Sequence, residues 1–538
     1  MKHISKLLLF LSIGGLLTIS CDRMLEVDSE RFITENNNNL NDASDTLYTM
    51  MGALSKLQLL GDRYVILGEL RADLMDVTEN AEADLRALSN LEADKSNAWL
   101  DGGDYYKVIN HCNYMINKMD TTLEMSGRKV LLAEFAAAKV IRAWTYMQLA
   151  LNFGKAIYIN KPILSIDDAL GTYPVLEKDA ILDSLITDLE AIQYVRKPFY
   201  GSVGNFNSSD LFLSARFLLA DLYLWKNEYA KAAAKYFECA RDENLLVTEM
   251  FSSSWITDVT PPRVSDNWKM IFSNSYIGND VSAIIGYYNS TSFGDFKQSS
   301  LALMTQTNYI LAPSANALDL FENQVYSDGP EDVATVIIPG DLRGESGSYE
   351  YRERLADNTF QVSENPRITI YSGEAVYLQR SALLYLRYAE AVNQLQKPSL
   401  ALAVVNYGLN QANINTYVNS NEIDSGVPWQ EFSANIFTTN VGTRSRGQGN
   451  KSILTFPANL QTMQDSIDFV EEVLIEECAL ESAFQGNRFH DLMRMSLHNN
   501  KYSLLAEAIA KKHKNNYDAI YAKMIDPANW YLPYPDEE

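Results

Sequence analysis

This sequence predicts a mostly α-helical fold, a tetratricopeptide-type helical-repeat scaffold interrupted by a loop-rich insertion with a few short strands. Three observations predict it. Apolar residues recur at three- and four-residue spacing from about residue 105 to 240. Two distant segments share the spacing of small and aromatic residues that packs a helix hairpin. Proline, glycine, serine and asparagine break the helical period mainly between about residues 248 and 372.

The chain begins with Lys2 and Lys6, then a largely apolar stretch over residues 7–17, then Thr18-Ile19-Ser20-Cys21. That run is too short to cross a bilayer comfortably and has the shape of a signal peptide, residues 1–20. Small Ser20 directly before Cys21 looks like a lipoprotein cleavage site, so Cys21 is expected to be the acylated N-terminus and the lipidation site. Acyl chains there supply about 0.8 kcal/mol of membrane affinity per buried methylene, and the folded part need not touch lipid. Residues 21–45, with Asp22, Glu26, Asp28, Glu30 and four asparagines at 36–39, are polar and aperiodic, as a tether is. The acids after Cys21 resemble the surface-export signals of Bacteroidetes lipoproteins, which implies a surface-exposed, outer-membrane address.

Residues 46–538 contain no low-complexity linker, so one large domain is expected, with an N-terminal helical part (46–247), a loop-rich insertion (248–372) and a C-terminal helical part (373–538). In the first part Ile109, Cys112 and Ile116, then Leu131, Phe135, Ala138 and Ile141, mark amphipathic helices. Leu219, Ala220, Tyr223, Tyr229, Ala232, Tyr236 and Ala240 follow tetratricopeptide spacing: alanines let two helices approach and tyrosines fill the gaps between them. A weaker echo runs through Ala389, Val392, Ala401 and Val405, with Pro398 at the expected turn. In the insertion, residues 333–338 and 367–371 have the β-branched and aromatic character of strands. Cys112, Cys239 and Cys478 stand inside helix-like patterns, away from any C-x-x-C pair, and read as small buried apolar residues.

Charge excludes one class of partner. The formal net charge is −24, and loss of residues 1–20, which carry two lysines and no acid, deepens it to −26. Nucleic acid is not expected to bind such a surface. Familiar catalytic motifs are absent: there is no G-x-S-x-G elbow, no H-E-x-x-H and no phosphate loop. His490 and His498 share a segment without the spacing or neighbours of a metal site, so neither a metal nor a cofactor is expected.

The stretch from Glu476 to Arg494, EECALESAFQGNRFHDLMR, closely resembles the helix-turn-helix hallmark of the SusD/RagB family. Leu386-Arg387-Tyr388-Ala389-Glu390-Ala391 looks like that family's "L-R-x-A-E-A" helix, and Ile141-Arg142-Ala143 with Tyr146 and Gly154 like its "L-R-A-x-x-Y…G" segment. Gly68-Glu69-Leu70-Arg71-Ala72-Asp73, Asn110 with Asn113, Asp341-Leu342-Arg343 and Trp530-Tyr531-Leu532-Pro533 fit in the same order. Cys478, Ser482 and Gln485 depart from the family's usual arginine, leucine and glutamate, which leaves Arg488 and Asp491 to lock the hairpin. The resemblance implies a SusD-like scaffold and a non-enzymatic role: capturing oligosaccharides and delivering them to a SusC-like TonB-dependent transporter. The alternative within the same family is oligopeptide capture by a RagB-like lipoprotein with the same lid role.

A glycan site needs flat aromatic platforms and planar polar groups. Of 31 tyrosines and 7 tryptophans, Trp144, Tyr223, Trp225 and Tyr388 occupy helix positions and read as core. Trp99, before the Asp104-Tyr105-Tyr106 helix start, and Trp268, Tyr287 and Tyr288, in the insertion, are the candidate platforms. Asp73 and Asn80 are candidate polar ligands by resemblance, since related proteins present ligand-facing residues there; a helix-cap role for Asp73 stands equally. Arg444 and Arg446 form a basic loop, read as holding neighbouring carboxylates before contacting an acidic ligand.

Overall fold

The computed structural model describes residues 40, 43–203, 206–256, 263–265, 267–272, 280–286, 299–327, 337–354, 360–372, 375–448 and 453–534. Cys21, Tyr287 and Tyr288 lie outside the described residues. The principal helices are α1 (Ala43–Glu69), α2 (Gly103–Lys118), α3 (Leu132–Phe153), α4 (Lys178–Glu190), α5 (Ala215–Trp225), α6 (Tyr229–Asp242), α7 (Ser381–Gln394), α8 (Pro398–Tyr407), α9 (Met463–Ser482), α10 (Arg488–His498), α11 (Ser503–Lys512) and α12 (Tyr517–Met524). Each packs against the next from α1 to α8 and again from α9 to α12, while α7 leans on α9 and α10 on α1, which closes the helical layers on each other.

The two echoes in the sequence are two hairpins of one design. In the α5–α6 turn Asn227 takes a left-handed φ of 60°, and the Glu228 N–H reaches back to the Tyr223 carbonyl at 2.9 Å. In the α7–α8 turn Gln396 takes φ 63°, and the Lys397 N–H reaches the Val392 carbonyl at 3.0 Å. Both close the helix end with a six-to-one bond, satisfying a carbonyl that the helix leaves orphaned. Pro398 is the first residue of α8 and not part of the turn, a position where its missing N–H costs nothing. The alanines Ala220, Ala232, Ala389 and Ala401 are all fully buried between helices.

Strands occur as two-stranded antiparallel pairs among the described residues. Three pairings matter here, formed by β1 (Met75–Val77), β2 (Val281–Gly286), β3 (Leu311–Pro313), β4 (Tyr349–Arg354), β5 (Phe360–Ile368) and β6 (Ala375–Arg380). β1 pairs with β3 (Met75 opposite Pro313), β2 with β6 (Ile285 opposite Val376) and β4 with β5 (Tyr349 opposite Ile368). Of the runs read as strands, residues 333–336 lie outside the described residues and Ile337–Pro339 is a strand, Arg367 and Ile368 end β5, and Ile370–Ser372 is instead a 3₁₀ turn.

Beneath these elements lies a cluster of buried charges. Glu477 and Glu481, one turn apart on α9, face arginines from three separate segments. Glu481 accepts from Arg380 at 2.7 Å, Arg446 at 3.1 Å and Arg343 at 3.0 Å, and all four side chains are inaccessible to solvent. Arg343 also bonds Asp341 (2.8 Å) and Glu477 (2.6 Å), Arg444 faces Glu477 at 3.5 Å, and Asp280 lies against Arg380 and Arg446. Burial alone would raise the Asp280 carboxyl, but the two guanidiniums outweigh it and hold it at about 2. The Arg444–Arg446 loop therefore holds carboxylates inside the fold. Gln485, where the family usually has glutamate, still serves this network by accepting from Arg380 at 2.8 Å.

Candidate functional site

The Gly68–Asp73 segment joins the N-terminal helix to the C-terminal hairpin, so its residues are not free for a ligand. At the end of α1 the Glu69 carboxylate accepts the backbone N–H groups of Phe484, Gly486, Asn487 and Arg488, capping α10 from another element. Arg71 donates to the Leu67 and Trp530 carbonyls and to Asn152 Oδ1, with its guanidinium 3.9 Å from the centroid of the Phe489 ring. Asp73 is 2 % exposed and takes both of its oxygens to Arg488, Oδ1 from Nε at 2.7 Å and Oδ2 from Nη2 at 2.9 Å. Asn316 adds a third bond to Asp73 at 3.1 Å. The expectation of Asp73 as a ligand-facing residue is thereby corrected: a bidentate fork consumes the carboxylate in the interior. Arg488 also ties the hairpin together through the Ile475 carbonyl at 2.8 Å, while Asp491 pairs with Arg494 at 2.8 Å.

Trp268 is a second correction. It opens the 3₁₀ helix Trp268–Phe272, is fully buried, and packs its ring 4.9 Å from Phe272, which in turn meets Tyr377 edge-on. An aromatic in a proline-rich segment looked exposed by its neighbours in sequence; its tertiary neighbours cover it.

Trp99 and Asn80 do reach the surface. Trp99 is half-buried on a 3₁₀ turn, Ala98–Leu100, capped by Asn97, whose Oδ1 accepts the Trp99 N–H at 3.1 Å. Asn97 also donates to the Asp84 carbonyl at 2.8 Å, and the Asp84 carboxylate accepts the Ala98 N–H at 3.0 Å. Exposed Asn80 lies four residues before Asp84 and donates to the Asn308 and Tyr309 carbonyls at 3.3 and 3.2 Å. The turn that bears Trp99 is thus tied to Asp84, four residues after Asn80.

Tertiary structure adds three residues beside Asn80. Leu303–Thr307 is a π-helical turn, with the Asn308 N–H returning to the Leu303 carbonyl at 2.7 Å, and Tyr309 follows it at φ 46°. Widened turns of this kind and bulky residues at positive φ are held only by strong surroundings and cluster at functional sites. Thr78 and Asn80 bond the Tyr309 carbonyl, and Arg367 on β5 places its guanidinium 4.5 Å from the Tyr309 ring centroid. Tyr351 on β4 is half-buried, and burial together with Glu322, Glu345 and Tyr309 raises its phenol above the usual value. Burial likewise raises Tyr309, against Arg367. The result is a cluster of two phenols, one of them stacked by a guanidinium, and an amide, with Tyr351 and Arg367 carried by the β4–β5 pair. No sequence pattern joins residues 80, 309, 351 and 367; β1–β3 pairing and the contact of β3 with β5 do.

Among the described residues no group of three or more His, Cys, Asp or Glu is arranged to hold a metal ion, and no helix is long and apolar enough to cross a membrane. His490 is buried and the His498 side chain is largely covered, and burial pushes each below the ordinary histidine range. Cys112, Cys239 and Cys478 are buried free thiols, as read from their positions.

Residues 355–538 match the family model described as "SusD family". The chain is 24 % identical over 443 residues to SusD-like protein P38 of Formosa agariphila, spanning 75 % of this chain and 81 % of that protein. Among solved structures, a SusD superfamily protein of Bacteroides thetaiotaomicron aligns at TM-score 0.61 and 14 % identity, covering 92 % of this chain and 96 % of that one. A SusD-like carbohydrate binding protein of Bacteroides fragilis aligns at TM-score 0.58 and 13 % identity, covering 86 % and 88 %.

Proposed function

We propose that this chain, which belongs to the SusD/RagB family, is a surface lipoprotein that captures oligosaccharides and delivers them to a SusC-like TonB-dependent transporter. The observation that supports the glycan reading is the clustering of Asn80, Tyr309, Tyr351 and Arg367, on a stretch whose Asp84 also holds the turn that bears Trp99. Sugar rings offer C–H faces to aromatic planes and hydroxyl rims to amides and guanidiniums, and this surface provides both. The comparison protein from Bacteroides fragilis is described as carbohydrate binding, in agreement with this reading. Anchoring rests on Cys21 after its apolar leader.

Two expected outcomes follow. Trp99→Ala weakens oligosaccharide binding about thirtyfold, equivalent to about 2 kcal/mol for a stacking aromatic at a hot spot, while the thermal midpoint stays put. Calorimetric titration with oligosaccharides and with di- and tripeptides, beside a melting curve, checks this. A loss of about 3–5 kcal/mol of stability would make Trp99 a core residue, and peptide binding without sugar binding would favour oligopeptide capture. Cys21→Ala yields a folded protein that leaves the outer-membrane fraction in cells lacking the transporter; persistent membrane retention overturns the anchor assignment.

A further inference from the structure

A second cleft, about 690 Å³, opens between the end of α4, the start of α5, the end of α6 and β2, formed by a different part of the chain from the Trp99 surface. Its volume lies in the range of small-molecule sites. Lys197 reaches into it from the loop after α4 and donates to the Ser282 carbonyl at 2.6 Å. Among the described residues no carboxylate forms an ion pair with it. Asp210 faces the same cavity, with a long bond from Ser209 at 3.4 Å and a backbone bond at Asn207. Burial lowers the Lys197 ammonium and raises the Asp210 carboxyl, and of the three ammonium donors Ser282 takes two at most, at 2.6 and 3.4 Å.

Three further groups define the chemistry. Gln193 Oε1 is buried without a hydrogen-bond partner on the cavity wall. Glu243 accepts Ser214 Oγ and the Arg216 guanidinium through Oε1, and Arg216 also bonds Asp242 at 2.8 Å. At the rim stand exposed Arg196 and Tyr194; the latter is 68 % exposed, with its ring flanked by Arg216 and Lys235. Three cations, Arg196, Lys197 and Arg216, are thus matched by three anions, Asp210, Asp242 and Glu243. An anionic or cationic ligand meets equal repulsion and attraction in such a cavity. A neutral polyol does not, because each hydroxyl both donates and accepts and can satisfy Lys197, Asp210 and Gln193 in turn.

We infer that this cleft is a second saccharide subsite, which takes one or two neutral sugar units against Lys197, Asp210 and Gln193 with Tyr194 as its rim platform. It extends the glycan reading above to a separate place on the molecule. The test is saturation-transfer NMR and titration with neutral disaccharides on the wild-type chain, Trp99→Ala, and Trp99→Ala combined with Tyr194→Ala or with Arg196→Ala. In Trp99→Ala the first-site binding weakens as above while a residual saccharide-binding phase is expected to remain, and that phase falls at least tenfold in each combined variant, with unchanged melting curves. Arg196 has no structural partner among the described residues, so that variant separates binding from folding. Binding abolished by Trp99→Ala alone overturns the second cleft and leaves the first site standing. Binding indifferent to Trp99 but lost in the combined variants keeps the cleft and removes the Trp99 surface. No saccharide binding, or preference for acidic sugars or zwitterionic dipeptides in the cleft, overturns the inference.

Discussion

Replacing Glu481 by glutamine is expected to lower the unfolding free energy by about 3–5 kcal/mol, the usual consequence of removing one partner from a buried ion network. Glu481 touches Arg343, Arg380 and Arg446 together, and none of the four is accessible to water. With glutamine the cluster keeps its shape but holds an uncompensated positive charge, and the amide N–H₂ points at a guanidinium. Urea unfolding with an unchanged slope and a lowered midpoint is the expected record; a loss below about 1 kcal/mol would mean that surrounding groups absorb the charge. The same cluster sets an acid limit. Asp280 is held at about 2, below its ordinary value of 3.8, so the stability it contributes is complete above pH 3.8 and is lost as pH falls toward 2.

Arg488→Ala is expected to cost a similar 3–5 kcal/mol, because it strands Asp73 in the interior with one remaining amide partner. It also removes the bond to the Ile475 carbonyl that ties the start of α10 to α9. Ligand affinity of the folded fraction should not change, since neither Arg488 nor Asp73 reaches the surface. A paired variant, Asp73→Leu with Arg488→Met, should recover most of the loss, since a buried ion pair exchanged whole for apolar groups is often neutral. Normal melting of Arg488→Ala with abolished binding would move this pair from the framework into the ligand site.

Both predictions concern residues prominent in the sequence, and neither sits in a site. Gly68–Asp73, Asn113, Arg142, Asp341–Arg343 and Trp530 have buried structural partners: Arg142 donates to Asn113 Oδ1 at 2.7 Å, and Asn113 holds the Ile159 and Lys161 carbonyls. Gly68 illustrates why such positions tolerate little. A Cβ there would stand 2.0 Å from the Gly486 carbonyl oxygen, because α1 and the α9–α10 turn meet backbone to backbone. Strongly patterned residues of this chain are its framework, and the proposed ligand surface draws on residues such as Tyr309 and Tyr351 that carry no pattern.

The helical class, the two repeat hairpins and the buried thiols were legible in the sequence because they are local or periodic: a 3.6-residue stripe faces one way whatever lies across from it. Trp99 was legible for a related reason, since Asn97, Asp101 and two glycines stop any helix from continuing through it. Burial of Asp73 and Trp268, the pairing of Arg488 with Asp73, and the meeting of Asn80 with Tyr309 were decided only in three dimensions. Each depends on segments more than two hundred residues apart or on the packing of a loop that local composition describes as exposed. Charge pairing and side-chain burial are properties of the partner across the contact, and a sequence names the partner only when it lies within a turn or two along the chain.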